Sequence, residues 1–263
     1  MDYHNKVVII TGGTKGIGLG CVREFVSAGS RVVFCARKDG EGSAVEQDVN
    51  NSATESGRAS FIKCDVSKTE DLRLLIGKTI DTHGRIDCLI NNAGWHPPHR
   101  PIDEFSVQDF HDILDLNLVS MFAACKFALP EIRKAKGNII NISSLVGAMG
   151  QLYATTYVAT KGAITAFTKA LAIDEAEHGV RVNSVSPGNI YTPLWQEAID
   201  ASGDPEETWT AGNAVQLMGR MGTIEETARL CLFIAAEATF TTGVDHIISG
   251  GAELGYGRKS RVG

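Results

Sequence analysis

The stretch Val7-Val-Ile-Ile-Thr-Gly12-Gly-Thr-Lys15-Gly16-Ile17-Gly18 decides the fold. A β-branched apolar run enters a glycine-rich turn and leaves it in a helical pattern. Glycine allows a tight turn, lets backbone approach a pyrophosphate, and lets the following helix lie close to the strand. The free N–H groups and positive dipole of a helix start suit an anion. The spacing is GxxxGxG and departs from the GxGxxG dinucleotide pattern, so an ordinary glycine βα turn is the plain alternative. Gly12, Lys15, Gly16, Ile17 and Gly18 are the candidate phosphate-binding residues.

Outward from this turn the same alternation runs along the chain. Further strands read at Arg31–Phe34, Ser60–Cys64, Asp87–Ile90, Asn138–Ile142, Val180–Val185 and His246–Ser249. Helix-length segments lie between, at 16–28, 40–55, 69–83, 105–130, 153–178 and 223–236. Several strands are apolar almost throughout, as expected when both sheet faces are covered. Sustained alternation means βαβ crossovers and an α/β, doubly wound, parallel sheet of Rossmann-like type. Residues 1–263 read as a single domain, and about 192–222 as a loop-and-helix excursion that covers a substrate.

Composition narrows the function. The chain has 263 residues, 43% hydrophobic, and a formal net charge of -6. A negative balance argues against nucleic-acid binding, which needs a dominant basic surface. The apolar content argues against disorder. The N-terminus lacks the basic and apolar regions of a signal peptide. No apolar stretch approaches the ~20 residues of a membrane span. Six scattered cysteines without a CxxC pair read as reduced thiols, so a soluble, cytosolic protein is expected.

At the second strand end, a ribose 2′-OH is usually held by a carboxylate. Here Cys35-Ala36-Arg37-Lys38 stands instead. Arg37 and Lys15 suit a 2′-phosphate, which points to NADP. Stacking of Arg37 on adenine, or plain solvation, is the alternative.

Ser144, Tyr157 and Lys161 carry the chemistry. Tyr157 and Lys161 stand at i and i+4 of a helix and share a face. Ser144 follows a strand at the carboxyl edge, where open α/β sheets bind ligands. About 0.2 YxxxK pairs are expected by chance, so the pair gains weight from its company. A free phenol titrates near ~10, so a tyrosine base needs help from an adjacent ammonium and a cationic nicotinamide. Ser144 would hold the substrate oxygen while Tyr157 moves the proton.

With Thr11–Gly18, Asn91-Asn-Ala-Gly94, Asn117, Ser144, Tyr157-Val-Ala-Thr-Lys161 and Pro187-Gly188, the chain resembles the short-chain dehydrogenase/reductase family over essentially its whole length. The resemblance implies an NAD(P)-dependent oxidoreductase and a homotetramer. It implies that Asp65 and Val66 meet the adenine, that Asn91, Ala93 and Gly94 line the adenosine side, and that Asn117 holds a water in a relay to Lys161. Tyr157 and Lys161 would also touch the nicotinamide ribose. Pro187, Gly188, Ile190 and Thr192 would face the carboxamide. A narrower likeness, to the branch of the family acting on 17-beta-hydroxysteroids and L-fucose, rests on Trp95-His-Pro-Pro-His99, Asn141–Ala148, Ser186–Trp195 and Gly250–Gly257. It implies NAD as cofactor, and His96, Gln151 and Tyr256 in the substrate pocket. The expected reaction interconverts a secondary alcohol and a ketone, or oxidises a sugar such as L-fucose. A 3-oxoacyl-type reductase and a non-catalytic NAD(P)-binding sensor are the alternatives.

Plainer roles stand beside these. His96 and His99 lack a third metal ligand, so no metal is expected. Trp195 reads as a substrate wall or as core. Tyr256 is equally an aromatic anchor, and Gln151 a loop cap. Asn117, in an apolar run, would need buried partners and could tie backbone segments together. The small-residue stripe Ala159, Ala163, Ala166 and Ala170 permits close helix approach, in the core or between subunits.

Overall fold

Seven β-branched runs become seven parallel strands in one sheet. The computed structural model describes residues 1–53 and 56–254. The strands are β1 (Val7–Thr11), β2 (Arg31–Ala36), β3 (Arg58–Lys63), β4 (Cys88–Asn91), β5 (Asn138–Ile142), β6 (Arg181–Pro187) and β7 (Asp245–Ile248). Their order is β3-β2-β1-β4-β5-β6-β7. The order reverses between β1 and β4, which opens a crevice at the carboxyl edge there. Every residue of β1, β4 and β5 is buried, because helices cover both faces.

The helices divide between the faces. On one side α1 (Gly16–Ser27) and α10 (Ile224–Ala236) pack over Val8, Ile10, Ile90 and Ile140. On the other, α3 (Thr69–His83), α5 (Ser120–Ala135) and α7 (Thr155–Glu175) cover Ile9, Leu89 and Ile139. Between α1 and α3, α2 (Asp39–Ser52) leads from β2 to β3. Helix starts carry their own signals. Ser106 and Asp109 form a capping box at α4 (Val107–Leu114), and Thr223 with Glu226 does the same at α10. After β5 comes the short α6 (Val146–Met149).

Residues 192–222 hold α8 (Pro193–Asp200) and α9 (Pro205–Ala214), each opening on a proline. Val107–Ala135 runs as a continuous helical stretch of 29 residues, with a π-helical turn at Asp115–Val119. By length and composition it could cross a membrane, with a mean hydropathy of 1.4 over an 18-residue window. Asp115 and Lys126 break the apolar run, which hid it in the sequence. Half of that window is buried against the sheet. Met121, Ala124, Cys125, Ala128 and Ile132 are its core residues. Arg133 on α5 clamps the buried Glu175 of α7 with two bonds of 2.6 and 2.7 Å.

Candidate active site

At the nucleotide end, the turn after β1 is held in a shape that few side chains permit. Gly12 and Gly16 have φ of +68° and +56°. A methyl group at Gly18 would lie 2.2 Å from the Gly12 carbonyl oxygen. The side chain of Asn92 donates to the carbonyls of Thr11 and Gly12 at 2.9 and 3.1 Å. Thr11 Oγ1 accepts from the N–H groups of Asn92 and Ala93, both at 3.0 Å. Asn92 thus locks the turn from the next strand, a role not read from the sequence although Asn91–Gly94 was picked out. Lys15 and Ile17 open α1, and Lys15 is exposed at its N-cap. This open cradle of backbone, in which Cβ atoms would intrude, fits a dinucleotide pyrophosphate.

Arg37 follows β2, exposed and without a hydrogen-bonding or ionic partner among the described residues. The nearby carboxylates are taken: Asp39 by Lys63 at 2.9 Å, and Glu41 by Lys38 at 2.6 Å. Lys38, with help from Lys15, holds the Glu41 carboxyl below its ordinary range. Asp65, at the end of β3, accepts from the Ser67 hydroxyl at 2.8 Å. The Val66 side chain is buried in the core. Asn91 is buried too, and its amide donates to Asn141 Oδ1 at 2.9 Å. Asn141 passes the chain on to Thr168 at 2.9 Å.

At the chemical end, β5 and α7 bring the sequence-predicted groups together. Lys161 is 4% exposed and donates from Nζ to the Ile142 carbonyl at 2.9 Å. Ser143 Oγ donates to the Lys161 carbonyl at 2.8 Å, which docks the helix on the strand end. Ser144 stands beside the Tyr157 phenol. Burial pushes that phenol up to about 12, and the nearby Ser144 hydroxyl lowers it. Burial also pushes the Lys161 ammonium down to about 8. The expected phenolate rests on this ammonium together with the cationic nicotinamide; without the latter, burial is the larger effect. Lys161 Nζ stands 5.6 Å from the Tyr157 ring centroid and is directed at a carbonyl, so desolvation wins. One favourable field remains, since Tyr157 lies in the first turn of α7, where the helix dipole favours a negative charge.

Asn117 sits in the π-helical turn, the kind of irregularity found at functional sites. Its side chain ties Trp95 from both sides, accepting from the N–H at 2.8 Å and donating to the carbonyl at 3.0 Å. It also donates to Thr160 at 3.2 Å. The tying role is therefore the one its side chain plays. A side chain at Gly94 would reach Asn117 Oδ1 at 3.2 Å and Lys161 Nζ at 3.8 Å, so these three converge.

At the mouth, His96 lies on Tyr157, ring centroids 4.1 Å apart. Gln151 bridges His96 and His99, at 3.1 and 3.2 Å. His99 had been weighed only as a metal ligand. Among the described residues no group of three or more His, Cys, Asp or Glu is placed to hold a metal. The Pro187 carbonyl accepts from Leu145 N–H at 2.9 Å, and Gly188 donates to the Ile248 carbonyl at 2.9 Å. Ile190 is buried against Gly222. Thr192 caps α8 and comes within 3.8 Å of where a Gly16 side chain would start, so the two ends of the cleft meet there. The half-buried Trp195 ring of α8 packs on Gly212 of α9. Tyr256 lies outside the described residues.

Comparison with known proteins agrees with this geometry. A model described as short chain dehydrogenase matches residues 6–203. An L-fucose dehydrogenase of Bos taurus is 52% identical over 98% of this chain and 93% of its own. Among solved structures, the L-sorbose reductase of Gluconobacter frateurii, complexed with NADPH and L-sorbose, is 25% identical. It superposes with a TM-score of 0.90 over 96% of this chain and 98% of its own. The aldohexose dehydrogenase of Thermoplasma acidophilum is 31% identical, with a TM-score of 0.85 over 95% of each chain.

Proposed function

We propose, from the premise that this chain belongs to the short chain dehydrogenase family and is an NAD(P)-dependent oxidoreductase, that it oxidises the anomeric hydroxyl of a hexose of the L-fucose type to the lactone. The observation that carries the reading is the meeting of Ser144, Tyr157 and Lys161 beneath a polar wall of His96 and Gln151. A pyranose presents hydroxyls on most of its carbons, and such a wall can hydrogen-bond them. A steroid, apolar over most of its surface, would offer that wall little to hydrogen-bond. The names of the relatives, L-fucose dehydrogenase and aldohexose dehydrogenase, support a sugar.

The nucleotide would lie with its pyrophosphate on Gly12–Gly18, its adenosine between Arg37, Asp65 and Gly94, and its nicotinamide near Lys161 and Thr192. When bound it supplies the hydride acceptor. Ser144 holds the sugar hydroxyl and Tyr157 takes its proton. Lys161 keeps a positive charge beneath the site and binds the ribose, while the Asn117 main chain holds the connecting water. Because Asp39 and Glu41 are engaged by lysines and Arg37 is free, NADP is the preferred cofactor. An NADPH complex of the sorbose reductase supports that choice.

A second copy of the chain would cover the apolar face shared by α5 and α7. Val119, Phe122 and Ile173 are exposed there, beside the exposed Ala159, Ala166 and Ala170. A homotetramer in the cytosol is the proposed state, and the six buried free cysteines suit a reducing compartment. L-Fucose and estradiol, each offered with NAD and NADP while reduced nicotinamide absorbance is followed, test the reading. Turnover of L-fucose supports it, and turnover of estradiol alone overturns it.

A further inference from the structure

Two histidines at the mouth of the cleft share one amide. The His96 ring is pinned through Nδ1, 2.6 Å from the Pro97 carbonyl. A carbonyl oxygen only accepts, so Nδ1 carries a proton. Whether Nε2 also carries one then decides the charge of the ring. Nε2 faces Gln151 Oε1 at 3.1 Å, and Gln151 Nε2 faces His99 Nε2 at 3.2 Å. In this orientation His96 donates from both nitrogens and is an imidazolium, while His99 offers a bare nitrogen and is neutral. With the amide turned over, His96 accepts and is neutral, and His99 must carry a proton on Nε2. Both rings cannot be cations without losing a bond to Gln151. Their centroids are 5.0 Å apart, close enough for like charges to repel.

Resting on the tyrosine mechanism above, we propose that Gln151 couples the proton on His99 to the charge on His96, and that His96, stacked on Tyr157, thereby sets the basicity of the phenol. His96, His99 and Gln151 are positioning residues here, acting through Tyr157. The loops that carry them are held in place. Arg100 N–H donates to the Tyr153 carbonyl at 2.9 Å, and Gly150 and Tyr153 take φ of +86° and +58°. Other charged groups on the surrounding elements are Arg100, Asp103 and Glu104 of the following loop, Asp109 on α4 and Lys161 on α7. Tyr153 and Tyr157 are the titratable hydroxyls. Among the described residues, none of these hydrogen-bonds either imidazole. Arg100 stacks on Phe105 and points towards Asp109 at 4.0 Å. Partial burial and the nearby His96 hold His99 below the ordinary histidine range, in keeping with a pair that shares one charge.

The test follows the two rings and the phenol separately. Histidine ring ¹H–¹⁵N spectra against pH report each tautomer in the free enzyme. The rising limb of kcat/KM for alcohol oxidation reports Tyr157. His99→Phe leaves Oε1 on His96, keeps that ring cationic to higher pH, and should move the limb down. Gln151→Leu removes the acceptor, leaves His96 neutral, and should move the limb up by about one pH unit. Gln151→Glu, of the same size but with two accepting ends, should raise both histidine titrations. Opposite shifts in the first two variants establish the coupling. Limbs that stay within about 0.2 unit while KM rises overturn it, and so does a His96 that stays neutral from pH 6 to 9. If Tyr157→Phe retains full turnover, the tyrosine mechanism itself has failed, which is a separate result.

Discussion

Around Gly12–Gly18 the chain offers a ligand its backbone, whereas around Tyr157 it offers side chains, with Lys161 taken out of water. The glycine turn is shaped by positive φ at Gly12 and Gly16 and by an asparagine clamp. Its charges, Lys15 and Arg37, remain in solvent. The chemical end has the reverse construction. Lys161 is buried against a carbonyl, and the phenol is pushed up to about 12. Binding a polyanion needs donors in place and little desolvation. Moving a proton needs groups whose charge states water no longer dictates. One end can therefore be exposed and preformed, while the other stores electrostatic tension until the cleft fills.

Four experiments break or sharpen this contrast. The largest effect belongs to Tyr157→Phe, which should lower turnover about 10²–10⁴-fold while leaving cofactor affinity within a few-fold. Fluorescence titration of reduced cofactor beside steady-state kinetics checks both halves. A parallel loss of affinity would mean that the two ends are not separate. Gly18→Ala attacks the other end. Its methyl meets the Gly12 carbonyl at 2.2 Å, so stability should fall by about 1–3 kcal/mol in chemical denaturation, with weakened cofactor binding. Arg37→Asp should shift the ratio of NADP to NAD use by about 10–100-fold towards NAD, the scale of a lost charged hydrogen bond. An unchanged ratio would discard the phosphate clamp.

The smallest effect is a pH dependence. The Lys161 ammonium titrates at about 8 in the folded chain, below its ordinary 10.5. Between these values the unfolded state holds more protons, so its contribution makes stability rise with pH across about 8–10.5. Tyr157, raised from 10.0 to about 12, acts in the opposite sense above pH 10. Denaturant midpoints from pH 7.5 to 10 should show a rise that Lys161→Met flattens.

Much of this site was legible in the sequence because its signals are local. The glycines, the strand-end Ser144 and the Tyr157–Lys161 spacing each depend on only a few neighbouring residues. The clamp made by Asn92 is not legible in the sequence because its partners, Thr11 and Gly12, lie about eighty residues earlier. His99 read as a weak metal ligand because its bond to Gln151 spans 52 positions. Family membership and the L-fucose dehydrogenase relatives also remove the non-catalytic sensor that the residues alone had left open.

By itself the sequence determined the strand–helix alternation, the parallel sheet and the residue types at its carboxyl edge. Hydrophobic period, glycine freedom and helical spacing are properties of short segments. Only the tertiary structure decided the electrical state of those residues. It directed Lys161 to Ile142 instead of the phenol, set Asn117 to hold Trp95, and placed an imidazole on Tyr157. Charge depends on which distant groups replace the lost water, and that is settled when the elements pack together.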